Sequence, residues 1–238
     1  MTYEQKRWEL DQRIRSTQKL EPLSCYITDG IVDIEQWQKQ AIRPLFIGKE
    51  AYEHGDRTEW SANEELKKDP WEACRASPRT WRTTAYVTYA LQHDLAEYDN
   101  LPEISEDEEV TKSLHSIAFI NVGKYGAETQ TPWERLNSLY SQNKNLLHDQ
   151  IELFQPNVVI GWSTLGFFQA DDSFISRFGS NETKSSQDAV DSWVANGLLY
   201  IDAYHPVYFK VSQKRYVDSI ISAVKEHQHS IDLSLPVF

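Results

Sequence analysis

Cysteine is scarce in this chain, with only Cys25 and Cys74 among 238 residues. Two thiols are too few for an all-cysteine zinc or iron–sulfur site, and they allow at most one disulfide. Free thiols in a cytoplasmic protein are the simplest expectation. No run approaches the 18 consecutive apolar residues of a membrane-spanning helix. Met1 to Asp11 is polar and charged, without the apolar centre of a signal peptide. There is no Gly-x-Ser-x-Gly nucleophile elbow and no Gly-x-Gly-x-x-Gly dinucleotide loop, which disfavours acyl transfer and Rossmann redox chemistry. Internal repeats and low-complexity segments are also lacking. Positive charge is in deficit: 24 Lys and Arg face 36 Asp and Glu, a net charge of −12. That sits awkwardly with nucleic-acid binding, which rests largely on phosphate neutralisation. Net charge describes the whole surface, however, and Arg43, Lys49, Arg57, Lys124, Lys210, Lys214 and Arg215 gather near the candidate site described below. The acidic run Glu103–Glu109 reads as a solvated loop or helix start.

What is present argues for one packed domain. Hydrophobic residues make up 40% of the chain, eight Trp among them, and the length suffices for a sizeable core. Short apolar runs at Pro44–Ile47, Ile117–Val122, Asn157–Trp162 and Leu198–Tyr204 read as buried strands. Amphipathic helices are expected over Tyr3–Leu20 (packing through Trp8, Leu10 and Ile14), over Ile31–Gln40, and over the stretch from Leu136 to Phe154 that Pro156 stops. Ser163-Thr164 is a candidate cap for a short helix, and a closing helix carries Tyr216, Val217, Ile220, Ile221 and Val224. The alternation predicts a three-layer α/β/α sandwich around a mainly parallel, four-stranded sheet. Residues 53–110, rich in Trp, Arg and acid, break the alternation and read as a helical, aromatic-rich insertion, with one helix marked by Trp81, Ala85 and Tyr89.

Three short sequences fall directly after predicted strands: Gly48-Lys49-Glu50-Ala51-Tyr52, Asn121-Val122-Gly123 and His205-Pro206. Ligands of open parallel sheets bind beyond the carboxyl ends of the strands. A carboxylate, a carboxamide and an imidazole, about 70 and then about 85 residues apart, can therefore meet in one cleft. Taken singly, each has a plainer reading. Glu50 fits a solvent-facing turn, Asn121 a turn cap, His205 an extended structural residue before proline, and Tyr52 ordinary packing. His227 and His229 lie two apart, on different faces of a helix, and make a poor metal site.

Together the three sequences resemble the motifs of the uracil-DNA glycosylase superfamily. Gly48–Tyr52 is similar to its Gly-Gln-Asp-Pro-Tyr motif, and Ile117–Val122 to its apolar strand ending in the Asn that reads the base. His205-Pro206 is similar to its His-Pro-Ser motif. Phe154–Gly161 resembles the element of Pro, strand and Gly that precedes the last motif. The resemblance spans roughly Arg43 to Tyr216 and implies that family's fold. It also implies a monofunctional DNA glycosylase, with water as nucleophile and no metal or organic cofactor. Glu50 and His205 become the candidate catalytic residues. Gly48, Lys49, Tyr52 and Asn121 become candidate substrate contacts, and Tyr208, Lys210, Lys214 and Arg215 candidate DNA contacts.

The chemistry suits these types. A carboxylate stabilises the oxocarbenium-like sugar and orients a water, an imidazole stabilises the departing base, and a carboxamide reads a base edge. The chain departs from the pattern at Glu50, one methylene longer than Asp. That moves the carboxylate by about 1 Å, enough to cost about two orders of magnitude unless the pocket compensates. Ala51 stands for Pro, and Val207, Tyr208 and Phe209 stand for the Ser and intercalating Leu. Tyr208 or Phe209 can fill the stack a flipped base leaves. A modified base, excised in repair or anti-phage defence, is therefore expected over plain uracil, with DNA as partner and the monomer favoured. The alternatives are an inactive glycosylase-fold protein that binds nucleic acid or regulates, and an α/β hydrolase of a nucleoside or small ester.

Overall fold

The computed structural model describes residues 2–17, 25–51, 59–127, 131–180, 183–208 and 210–237. Its strands are β1 (Tyr26–Thr28), β2 (Gly30–Ile31), β3 (Pro44–Gly48), β4 (Glu59–Ser61), β5 (Ala118–Asn121), β6 (Val158–Trp162), β7 (Thr183–Gln187), β8 (Val190–Ala195) and β9 (Leu198–Ala203). The helices are α1 (Tyr3–Thr17), α2 (Ile34–Trp37), α3 (Ala62–Lys68), α4 (Pro70–Ala76), α5 (Thr83–Gln92), α6 (Glu108–Lys112), α7 (Trp133–Phe154), α8 (Leu165–Gln169), α9 (Asp172–Phe178) and α10 (Gln213–His227).

Among the described residues the main sheet has seven strands in the order β2-β5-β3-β6-β9-β8-β7, where four were expected. Strands β5, β3, β6 and β9 run parallel to one another, and antiparallel strands extend the sheet at both margins. Every residue of β3, β5 and β6 is buried, which is why these strands read as continuous apolar runs. Side chains alternate across the sheet. Phe46, Phe119, Ile160 and Ile201 join a core with α5 and α10. Leu45, Ile47, Ile120, Val159 and Tyr200 join another with α7, α8 and α9. Helices thus cover both faces. Strands β1 and β4 form a separate two-stranded parallel pair.

The predicted helix α1 buries Leu10 and Ile14, but Trp8 is 64% exposed and Tyr3 packs in its place; positions 18–20 of the expected span lie outside the described residues. Only Ile34–Trp37 of the second expected helix is helical, because the Asp33 carboxylate caps it there and Ile31 belongs to β2. The insertion carries α3 to α6 together with a π-helical turn at Pro78–Arg82. Trp81 lies in that turn, just ahead of α5. Asp107 caps α6, so the acidic run is the helix start the sequence allowed. Neither cysteine forms a disulfide, and both are buried. No helix among the described residues is long and apolar enough to cross a membrane.

Candidate active site

Strand register sets the site. Gly48 of β3 lies level with Asn121 of β5, and Trp162 of β6 lies level with Ala203 of β9. Glu50, Asn121 and His205 therefore leave the same carboxyl edge of the parallel strands. The chain leaves β3 toward β5 on one side and leaves β6 toward β9 on the other, so the switch point where open parallel sheets bind ligands falls beyond β3 and β6. The loop after β3 is zipped to the loop after β5: Val122 N–H donates to the Gly48 carbonyl at 3.0 Å and Gly123 N–H to the Lys49 carbonyl at 2.8 Å.

Two glycines of the motifs make room for the candidate side chains Asn121 and Glu50. A Cβ on Gly48 would stand 2.5 Å from Asn121 Oδ1. A Cβ on Gly123 would stand 3.0 Å from Glu50 Cβ and 3.1 Å from its Oε2. The Glu50 side chain is only 1% exposed. Thr131 donates its hydroxyl to Oε1 at 2.6 Å, and Arg135 Nη2 approaches Oε2 at 3.3 Å. Each carboxylate oxygen keeps acceptor capacity beyond these bonds.

Asn121 is 3% exposed, and its Nδ2 is buried without a hydrogen-bond partner. A buried amide donor left unpaired costs about 1–3 kcal/mol, so it calls for an explanation. The Asn121 backbone, by contrast, is tightly held. Its N–H donates to Asp29 Oδ2 at 2.8 Å, and that carboxylate is paired with the fully buried Lys124 at 2.7 Å. Gln150 completes the cluster by donating to Asp29 Oδ1 and accepting from Lys124.

His205 stands edge-on to Trp162, with ring centroids 5.1 Å apart. The Val207 N–H donates to its Nδ1 at 3.3 Å. In the neutral ring this leaves the proton on Nε2, which becomes the donor. Burial, with a smaller contribution from the Lys49 charge, brings the His205 pKa down to about 4, so the ring is neutral at pH 7. Trp162 belongs to an aromatic cluster with Phe119 at 5.4 Å, Trp81 at 6.0 Å and Phe46 at 6.0 Å. Trp81 from the insertion also meets Phe119 edge-on at 5.1 Å. Asp202, near the end of β9, is pushed up to about 6 by burial although Leu165 N–H donates to it at 3.2 Å. That contact caps α8, a role expected of Ser163-Thr164; the Thr164 hydroxyl instead donates to the Ile47 carbonyl.

Of the predicted site residues, Gly48, Lys49, Glu50, Asn121 and His205 come together on this edge. Tyr52, Arg57 and Phe209 lie outside the described residues. Tyr208 stacks on the exposed Tyr204, centroids 4.6 Å apart, beside His205. Lys210 is exposed. Lys214 pairs with Asp99 and Asp218, and Arg215 with Asp188, all on the surface. Two of the basic residues first grouped here belong elsewhere. Lys124 is buried in its ion pair, and Arg43 is buried at the opposite end of β3, donating to the Gln155 and Gln40 carbonyls. Thr131, Arg135 and Asp29 left no trace in the sequence pattern, because their contacts with the motifs span about 80 to 90 residues. Two surface clefts, one lined by Gln40, Ile42, Leu91 and Gln228 and another by Lys6, Arg13, Asp149 and Glu152, contain none of the site residues. Among the described residues no group of three or more His, Cys, Asp and Glu side chains is placed to hold a metal ion. In comparison with known proteins, the chain matches no protein-family model and no curated protein.

Proposed function

We propose that the protein is a DNA glycosylase that hydrolyses the N-glycosidic bond of a modified base or uracil, on a uracil-DNA glycosylase-like fold. The observation that carries this is the buried Asn121 carboxamide with an unpaired Nδ2, on the same carboxyl edge of the sheet as a neutral His205 and a Glu50 whose side chain is buried. A base carbonyl is the acceptor that Asn121 lacks. As the C1′–N bond breaks, its electron pair leaves with the base. The Nε2–H of His205 donates to a base oxygen where that charge builds, with the Lys49 charge nearby. Glu50 faces the cationic sugar and orients the water whose oxygen bonds to C1′, while the water's proton neutralises the departing base. Phe119, Trp162 and Trp81 supply the apolar walls against which a base ring packs. The larger Glu50 is accommodated because Gly123 gives it space, and Thr131 and Arg135 hold it.

Those same two contacts favour the second reading, an inactive binding protein, since they engage both Glu50 oxygens. Abasic-site formation separates the two. With an aldehyde-reactive probe, wild-type protein is expected to label DNA carrying its target base and Glu50→Ala is expected not to. Equal labelling by both would overturn the mechanism, and labelling by neither would favour the binding protein.

A further inference from the structure

Two exposed aromatic rings, each backed by a second ring, stand at the two ends of the candidate site. Trp133 opens α7, between Thr131 and Arg135, the two residues that hold Glu50. It is 58% exposed and stacked on Phe167 of α8, centroids 4.4 Å apart and planes 23° from parallel. Phe167 is in turn stacked on Tyr140, which fixes the pile against α7. At the other end, Tyr204 immediately precedes His205, is 47% exposed, and is stacked on Tyr208 at 23°. Both stacks belong to the carboxyl rim. Phe167 follows the end of β6 by five positions and Tyr204 follows β9 by one, and those strand ends are in register at Trp162 and Ala203.

Positive charge near the rim rests on a few side chains, Lys49 and the exposed Lys210 among them. Lys214, Arg215 and Arg135 each face carboxylates, and the whole chain is at −12. A duplex presents a dense phosphate surface and buries its base faces, so it would gain little here. A single strand offers unstacked bases, which aromatic platforms hold whatever their sequence.

Resting on the glycosylase reading, we propose that the substrate is single-stranded DNA, held by bases stacking on Trp133 and Tyr204 on either side of the target nucleotide. The rings at the two ends set the strand's path across Glu50 and His205, and stacking replaces much of the phosphate contact that other DNA-binding proteins use.

The test is fluorescence anisotropy of the full chain with one short labelled sequence, offered as single-stranded DNA, as duplex DNA and as single-stranded RNA, over a range of salt. Single-stranded DNA is expected to bind at least tenfold tighter than duplex, with a slope of log K against log salt no steeper than about −2. Trp133→Ala and Tyr204→Ala are each expected to weaken binding about 5- to 150-fold, the 1–3 kcal/mol of one stacked base. Trp133→Tyr and Tyr204→Phe, which keep a stacking face, are expected to restore most of it. Equal or tighter duplex binding, a preference for RNA, no binding, or alanine variants within twofold of wild type would each overturn the proposal. Base release from duplex DNA without single-strand preference would sink this inference and leave the glycosylase reading standing. Stacking-dependent single-strand binding without base release from any DNA would do the reverse.

Discussion

Replacing Lys124 by Met tests how Asn121, the proposed base-reading residue, is held. All three Lys124 ammonium contacts are made inside the protein, to Asp29 Oδ2 at 2.7 Å, Asp29 Oδ1 at 3.1 Å and Gln150 Oε1 at 2.7 Å. Asp29 also accepts from the Asn121 backbone and from Gln150. Both charged side chains are 2% exposed or less. Methionine fills a similar volume but leaves Asp29 ionised, buried and without its cation. Breaking a buried pair from one side costs about 3–5 kcal/mol. For a chain of this size, at about 2–4 °C per kcal/mol, the melting temperature falls by about 6–20 °C. Adding Asp29→Asn removes the stranded charge, so the double variant is expected to be more stable than Lys124→Met alone, a coupling that a double-mutant cycle reads directly. The assay is urea unfolding followed by far-UV circular dichroism. A loss under about 1 kcal/mol for Lys124→Met, or a double variant no more stable than the single, would refute the idea that this pair clamps the Asn121 loop.

Other outcomes follow from the same geometry. Gly48→Ala is expected to lower stability by about 1–3 kcal/mol and to cut base release, because the new methyl meets the Asn121 carboxamide; an unchanged rate would mean Asn121 does not read the base. Glu50→Ala and His205→Ala are expected to lower base release at least about 100-fold while leaving DNA affinity within a few-fold, as read by single-turnover kinetics and anisotropy. His205 is expected to titrate near 4 by NMR, below its unfolded value of 6.5, with the proton on Nε2 above that. Since the unfolded chain then binds more protons between those values, His205 makes the fold lose stability as pH falls from 6.5 to 4. His148, lowered to about 4 by burial, acts in the same direction, and Asp202, raised to about 6, acts oppositely between 3.8 and 6. Observing His205 at its unfolded value would contradict the half-buried, neutral imidazole. Borohydride added during turnover is expected to trap no covalent protein–DNA adduct; an adduct on Lys49 would replace water by an amine nucleophile.

The strands that carry the site were legible because parallel strands covered on both faces must be continuously apolar, as Leu45-Phe46-Ile47 and Val158-Val159-Ile160 are. Their ends could be placed, and the positions of Glu50, Asn121 and His205 follow from those ends. The margins of the sheet were not. Strand β7 reads Thr-Lys-Ser-Ser-Gln, with no buried residue, and it is a strand only because β8 pairs with it. A local signal for the β8–β9 hairpin did exist in Asn196-Gly197, both at positive φ (49° and 76°) as a tight two-residue turn requires. What encloses the candidate catalytic groups was hidden for a different reason. Thr131, Arg135, Asp29 and Trp81 meet the motifs only through tertiary packing, which no periodicity encodes.

The most direct test is mass spectrometry of bases released from a panel of DNAs by the wild-type protein and by Glu50→Ala. The panel holds uracil in single and double strands, together with phage DNAs bearing hydroxymethylated or glucosylated bases. A single base freed by the wild type and not by the variant is the expected result, and it names the substrate. No base freed from any DNA by the folded wild-type protein would contradict the glycosylase account.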